Sequence, residues 1–404
     1  MSSAVHKLRM LGGMLTGERA LTGPAYVVLD LTRRCNTICV GCWYHCVQER
    51  QPTPGDHTVR ELPLTLLERL ATELSDVGTT EIFLLGEGEP LLHPDFFTIV
   101  AAFKRAGMQV RCFTNGTLLG EDACRRLVAS GLDTLLLSVW AVTEEEHRKN
   151  HPGITLAHLE KRRDAVRFLA EAKRRAASRT PGLRLQFVLN RHNCTNVAGR
   201  VDFALASECD EVGFGIFRDY GGMFEDLAVA DDDRPALETA LAEARTTFAA
   251  RGIRHDIPQY LARLALGPES WTKLPCYAGW YASQIKADGT VLPCAHCATV
   301  VGNLHAQSFA EIWNGPQYRA FRRAGLQRPE QDRLRNCDCA NCCQVTDNLR
   351  VGRMFGPLRP SVARQRPGDD AAFGDDTAVA IRRTTTGESP SQLHSDALRE
   401  RANA

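Results

Sequence analysis

A chain of 404 residues is too long for one ordinary domain, and 44% hydrophobic with 24% charged residues is the composition of a globular protein with a generous core. The formal net charge of +1 sets up no overall field, so neither nucleic acid nor an acidic membrane surface is expected as a partner. No run approaches the ~18 apolar residues of a membrane span, and the N-terminus, broken by Gly, Lys and Arg, makes a poor signal peptide. The expected location is therefore the cytoplasm, where thiols stay reduced and the 15 cysteines point to metal or redox chemistry before disulfides.

Residues 1–24 read as an N-terminal extension. From residue 25, β-rich runs alternate with helical patterns: 25–31, 81–85, 109–113, 134–139, 183–189 and 211–217 read as buried strands. Between them, Leu64, Leu67, Leu70 and Leu74 recur at helical spacing, and Val166, Leu169 and Ala170 share one face of the segment 159–176. This alternation predicts an α/β fold, a parallel sheet with right-handed crossovers over 25–230. A helical connector follows over 231–270, then a cysteine-rich unit over 271–350. Residues 351–404 are rich in Pro, Gly, Ser, Asp and Arg and too poor in large apolar residues to fold alone, so a disordered tail is expected there.

Cys35, Cys39 and Cys42 form C-x3-C-x2-C directly after the first predicted strand, at the end where α/β folds gather ligands. Three thiolates at this spacing hold three irons of a 4Fe–4S cluster and leave the fourth open to a small molecule. A structural zinc site closes its shell with four protein ligands, and Cys46 is available as the fourth. On this segment alone both readings stand.

The motifs at the other strand ends extend the pattern. It resembles the radical S-adenosylmethionine (SAM) superfamily, which carries C-x3-C-x2-C after the first strand of a partial (β/α)6 barrel. The "GEGEP" of 86–90 is similar to the family's Gly-Gly-Glu-Pro element, with Glu87 in place of the first glycine, then Gly88, Glu89 and Pro90. The resemblance implies that Glu89 bonds the SAM amino group. It assigns cofactor contacts to the "TNG" triplet with Thr114 and Asn115, to Ser138 at the end of strand four, and to Asn190 and Asn193, which sit where relatives meet the ribose. Two departures stand out. Trp140 occupies the place of a usual Asp, and position 151 is His where a carboxylate-binding arginine is expected, with Arg148 nearby. The family resemblance implies an enzyme that cleaves SAM reductively to a 5′-deoxyadenosyl radical, fed by a flavodoxin- or ferredoxin-type electron donor.

In the second cysteine group, Asp288-Gly289 is a hairpin signal between two short strands. Cys276 before it and Cys294 after it would meet at one end, where a remote C-x2-C completes four ligands. The spacing Cys276, Gly289, Cys294 and the segment 301–315 resemble the SPASM/twitch extension of the superfamily. Its shorter, twitch form implies one auxiliary 4Fe–4S cluster on Cys276, Cys294, Cys339 and Cys342. Cys297, Cys337 and Cys343 are left over, which keeps a second cluster open, and a zinc ribbon is the structural alternative.

Twitch enzymes similar to this chain modify carbohydrates and aminocyclitols, and 24 residues before the first strand are too few for a leader-peptide-binding domain. The favoured expectation is therefore hydrogen abstraction from a small polar, sugar- or cyclitol-like natural-product substrate, ending in oxidation or epimerisation. The alternative is a maturase that modifies a ribosomal peptide or a protein side chain. A non-catalytic zinc-binding protein is the alternative of a different class. Phe217 and Arg218, after strand six, are expected at the substrate, Arg218 as a carboxylate partner or a base. Epimerisation needs a hydrogen-donating thiol, for which Cys46, Cys112, Cys194 and Cys297 are candidates.

Overall fold

The computed structural model describes residues 3–42, 44, 45, 56, 58–217, 224–272, 275–327, 334, 336, 337, 339 and 342–355. Helix α1 (Ser3–Thr16) precedes an alternating series: β1 (Tyr26–Asp30), α2 (Leu64–Val77), β2 (Glu81–Leu85), α3 (Phe96–Arg105), β3 (Gln109–Thr114), α4 (Glu121–Ala129) and β4 (Thr134–Val139). It continues with α5 (Glu144–Asn150), α6 (Ala157–Arg175), β5 (Gly182–Leu189), α7 (Val197–Ala206), β6 (Glu211–Ile216), α8 (Arg234–Ala250), β7 (Arg254–His255) and α9 (Ile257–Thr272). The C-terminal unit comprises α10 (Ala278–Tyr281), β8 (Ala282–Ile285), β9 (Thr290–Leu292), β10 (Gly302–Asn303), α11 (Phe309–Trp313), α12 (Pro316–Gln327) and α13 (Val345–Phe355).

All six expected strands are present, with ends shifted by at most one residue. They pair in parallel in the order β1-β2-β3-β4-β5-β6, and β7 adds a short seventh strand inside the segment expected to be only a helical connector. On its other edge β1 pairs in parallel with β8, not with a late barrel strand, so the barrel stays partial. The hairpin β8–β9 and the edge strand β10 are antiparallel additions.

Period-two alternation decides what each strand shows to each side. Val27 and Leu29, Ile82 and Leu84, Leu135 and Leu137, and Leu183, Leu185, Phe187 and Leu189 are buried among the apolar faces of the surrounding helices. The intervening positions line the lumen. They are Tyr26, Val28 and Asp30 on β1, Glu81, Phe83 and Leu85 on β2, and Arg184 and Gln186 on β5.

The first 24 residues are more ordered than an extension. Met10 and Met14 of α1 are buried in the core, and Trp313 Nε1 donates to Thr22 O at 2.8 Å. Gly12 and Gly13 disguise this helix in the sequence, because glycine is a poor helix former. Gly13 is also where α1 comes closest, since a Cβ there would lie 3.0 Å from Arg19 O and 3.2 Å from the Trp280 ring. At the other end α13 carries the chain in helical form to Phe355, and the rest of the expected tail lies outside the described residues.

The C-terminal unit is fastened to the barrel by buried charge. Glu87 accepts from Arg33 Nε at 2.5 Å and from Lys286 Nζ, and all three side chains are at most 3% exposed. Arg33 also faces Asp288 at 3.6 Å, and Asp288 accepts from the Asp56 backbone. Removing one partner of such a buried pair leaves an uncompensated charge, at about 3–5 kcal/mol. Lys286→Met is therefore expected to lower unfolding free energy by about that amount in denaturant titrations. The double change Glu87→Gln/Lys286→Met should lose clearly less, because it removes both members of the pair.

Candidate active site

The first cysteine group sits where β1 ends, on a loop pinned from three sides. Glu89 N donates to Arg34 O at 2.8 Å, so the GEGEP turn grips the root of the loop. Asn36, between Cys35 and Cys39, accepts from Asn115 Nδ2 and donates to Thr117 Oγ1, each at 2.9 Å. From α5, Asn150 O accepts from Val40 N at 2.9 Å and His151 Nδ1 donates to Ile38 O at 3.2 Å. Cys35, Cys39 and Cys42 are partly exposed, and Cys42 N donates to Cys39 O at 3.0 Å in the turn that joins them. Burial pushes the Cys35 thiol up to about 12, with a backbone hydrogen bond at Thr37 pulling the other way. Cluster binding, which needs thiolates, has to offset that shift. Cys46, the alternative fourth ligand, lies outside the described residues.

The GEGEP turn divides its two glutamates between different tasks. The Glu87 carboxylate, expected among the cofactor contacts, is engaged by Arg33 and Lys286. A Cβ on Gly88 would run into the Arg34 carbonyl, so only glycine lets turn and loop touch. Glu89 is buried. Its Oε1 accepts from Thr114 Oγ1 at 2.8 Å and its Oε2 from Asn115 N at 2.7 Å, and Leu91 N adds a longer bond as Pro90 opens a short helical turn. Burial raises its carboxyl to about 7 against those three donors. The turn and the TNG triplet are thus one unit, closed by Gly116 at φ +81°.

Ser138 pairs in register with Gln186 and, two residues beyond the lumen-lining Leu136, faces the same side. Asn190 and Asn193 are wholly buried and work as loop locks. Asn190 Nδ2 donates to Asn150 Oδ1 at 2.6 Å, while Asn193 holds Trp140 O, Val188 O and the Asn190 backbone. These bonds brace the ends of β4 and β5. Arg148 is exposed and paired with Glu144 at 3.0 Å on its own helix. A different arginine reaches the site: Arg162 of α6 is 2% exposed, donates from Nε to Asn115 O at 3.0 Å, and lies beside Cys39. In the sequence it hides in a run of surface-like Lys and Arg. Arg218 lies outside the described residues, while Phe217 packs edge-on to Trp140 at 6.3 Å, over Gly41 of the cysteine loop.

The second cysteine group gathers at the opposite end of the lumen. β8 starts beside Tyr26 and β9 returns to that level, which places Cys276 before the hairpin and Cys294 after it at the N-terminal edge of the sheet. Cys342 lies close to Cys276, Cys339 and Cys343, and Cys294 Sγ is 3.9 Å from Cys343 Sγ. Cys343 is thus a fifth candidate ligand beside Cys276, Cys294, Cys339 and Cys342; the C-x2-C spacing had passed over it. Among the described residues no three His, Cys, Asp or Glu side chains converge tightly enough for a single metal ion. A four-iron cluster spreads its thiolates farther apart than one ion does. Cys297, expected free, forms a disulfide with Cys337 across an isolated strand bridge. Cys112 and Cys194 are core residues, their thiols pushed up by burial.

Between the two groups a cavity of about 1490 Å³ runs through the lumen, with Asp30 and Gly86 toward one end and Cys343 toward the other. β1 alone spans roughly 13 Å between those levels, at ~3.3 Å per residue.

The description "Radical SAM superfamily" matches residues 29–185, and "Iron-sulfur cluster-binding domain", SPASM, matches 276–343. A PqqA peptide cyclase of Xanthomonas axonopodis pv. citri is 28% identical over 312 residues, covering 74% of this chain and 77% of its own length. An AdoMet-dependent heme synthase of Methanosarcina barkeri is 26% identical over 329 residues, covering 76% and 86%. Among solved structures, Streptococcus suis SuiB bound to S-adenosylmethionine aligns with a TM-score of 0.59 at 16% identity, over 80% of this chain and 74% of that one. These domains bring a SAM-binding 4Fe–4S cluster, SAM itself and an auxiliary iron–sulfur centre as cofactors, and the thiol-rich loops at both ends of the lumen have the donor chemistry to hold them. With a radical SAM match over the barrel strands and an iron–sulfur match over the hairpin unit that extends them, the chain belongs to the radical SAM superfamily, in the branch that carries a SPASM domain.

Proposed function

We propose that this radical SAM enzyme modifies a peptide, with the SAM-binding cluster on Cys35, Cys39 and Cys42. The auxiliary cluster draws its ligands from Cys276, Cys294, Cys339, Cys342 and Cys343. When bound, cluster and SAM together supply a carbon-centred radical able to remove hydrogen from an unreactive C–H bond. The chain's own part is positioning and shielding. Glu89, oriented by Thr114 and Asn115, offers a fixed carboxylate beside the cysteine loop, and Ser138 faces the lumen at the same level. The Asn36, Asn115 and Asn150 contacts keep the loop from moving during turnover.

The observation that carries the peptide reading is the lumen. Together with its mouth beside α1 and the loops before β2 and β3 the cavity measures about 1490 Å³, more than the ~300–1,000 Å³ usual for small-ligand pockets, and has room for several residues of an extended chain. The relatives named PqqA peptide cyclase, matched over 74% of this chain, support the same substrate class. The preference for a sugar-like substrate rests on the resemblance to twitch enzymes and on the short segment before β1. A second, small-molecule reading is favoured by the relative named heme synthase. Oxidation is preferred to epimerisation, because an auxiliary cluster, when bound, would be able to take the second electron from a substrate radical.

Two outcomes test the assignment. Cys35→Ala/Cys39→Ala/Cys42→Ala protein, reconstituted anaerobically, is expected to form no 5′-deoxyadenosine with SAM and dithionite while keeping about four irons per chain at the auxiliary site; surviving SAM cleavage refutes the first ligand set, and absence of iron the second. Wild-type enzyme incubated with SAM, dithionite and the low-mass peptide fraction of its source cells is expected to yield a peptide lighter by a pair of hydrogens, with matching 5′-deoxyadenosine. Conversion confined to non-peptide components of the same extract would refute the peptide reading.

A further inference from the structure

One pair of lumen side chains is incompletely satisfied. Asp30, the last residue of β1, and Gln284 of β8 both line the cavity, at 1% and 3% exposure. Gln284 Nε2 donates to Asp30 Oδ2 at 2.8 Å, which fixes the amide so that its oxygen points away from the carboxylate. Asp30 Oδ1 and Gln284 Oε1 are then both buried, and neither has a hydrogen-bond partner among the described residues. Two bare acceptors on hydrogen-bonded side chains that both line the cavity call for a ligand that brings donors.

The charges nearby give that ligand a sign. Arg33 and Lys286 lie near three carboxylates, Glu87, Asp288 and Asp30; Arg33 pairs with Glu87 and faces Asp288, Lys286 pairs with Glu87, and among the described residues no cation forms an ion pair with Asp30. The group therefore keeps one negative charge in excess, located on the carboxylate that has no cation of its own. Two arginines on the strands that line the lumen are committed elsewhere: Arg111 to Glu81, and Arg184 to Glu211 and to Asp256 at 2.7 Å. Burial, with Glu87 adding to it, holds the Asp30 carboxyl up at about 7, as expected of an acid kept short of a counter-charge.

We propose that Asp30 and Gln284 are the recognition pair for a basic side chain of the substrate, a lysine ammonium or an arginine guanidinium donating to Asp30 Oδ1 and Gln284 Oε1 at once. The proposal refines the peptide reading and rests on it for the substrate class. It assigns specificity to the β1–β8 seam, on the auxiliary side of the cysteine loop.

The test uses full-length protein reconstituted anaerobically and saturated with SAM. Blocked amino acids serve as probes in calorimetry or saturation-transfer NMR: N-acetyl-lysine methylamide, N-acetyl-arginine methylamide, and N-acetyl-norleucine methylamide, which has the lysine shape without its charge. The lysine or the arginine probe is expected to bind, and norleucine not. Asp30→Asn should weaken that binding about tenfold or more, and Gln284→Met by a smaller factor. Equal affinity for lysine and norleucine would overturn the proposal, as would unchanged binding in both variants. If Asp30→Asn fails to fold, the probe comparison in wild type and in Gln284→Met still decides. The peptide reading fails separately: basic probes that bind while no peptide is converted would refute that reading and leave the pair standing. Peptides converted equally well with and without a basic residue would refute the pair and leave the reading standing.

Discussion

The placement of both cysteine groups depends on one buried carboxylate. Glu87 stands where the superfamily pattern has glycine, and it is held between Arg33 at the root of the cysteine loop and Lys286 at the tip of the β8–β9 hairpin. A glycine there would take from Arg33 and Lys286 the carboxylate they share and leave Arg33 only the longer contact with Asp288, so the departure from pattern goes with the lysine on a remote hairpin. The consequence is register. With Lys286 tied to the GEGEP turn, Ala282 aligns with Tyr26 and Ile285 with Leu29, and the hairpin becomes an added edge of the barrel sheet. A slip by one residue would turn Gln284 out of the lumen and carry Cys276 and Cys294 away from Cys342 and Cys343.

Much of this was legible in the sequence, because the informative residues sit at strand ends. Six strands declared themselves by β-branched and aromatic runs, and the loops that follow them carry Cys35, Cys39, Cys42, the GEGEP turn and the TNG triplet in chain order. What escaped has physical reasons. Helix α1 was hidden by Gly12-Gly13, and β7 is only two residues long. Asn190 and Asn193 look like ligand contacts, since amides suit riboses, yet the same amide capacity locks a loop when the chain supplies the partners. Arg162 resembled a surface cation because helical charge runs usually are solvated, and only tertiary packing shows that one member turns inward. Cys343 was passed over because spacing favours Cys339 and Cys342, while proximity to Cys294 is a property of the fold.

The lumen ties these observations together. In a closed (β/α)8 barrel the interior is packed with branched apolar side chains. Here the inward positions include Tyr26, Glu81, Arg111, Arg184, Gln186, Gln284 and Asp30, and the interior is a cavity. Polar groups withdrawn from water in this way are costly unless paired, and most are: Arg111 with Glu81, Arg184 with Asp256 and Glu211, and Tyr26 with Gln344 at 2.7 Å. These pairs line the wall with committed groups that hold its shape and compete little for a ligand. Asp30 and Gln284 differ in keeping one acceptor each uncommitted, and they do so at the end of β1, between the cysteine loop that follows it and the hairpin that leads to the second thiol group. A cationic side chain bound there would lie in the space between the two cysteine groups, where the wall has an unmet demand for hydrogen-bond donors and for positive charge.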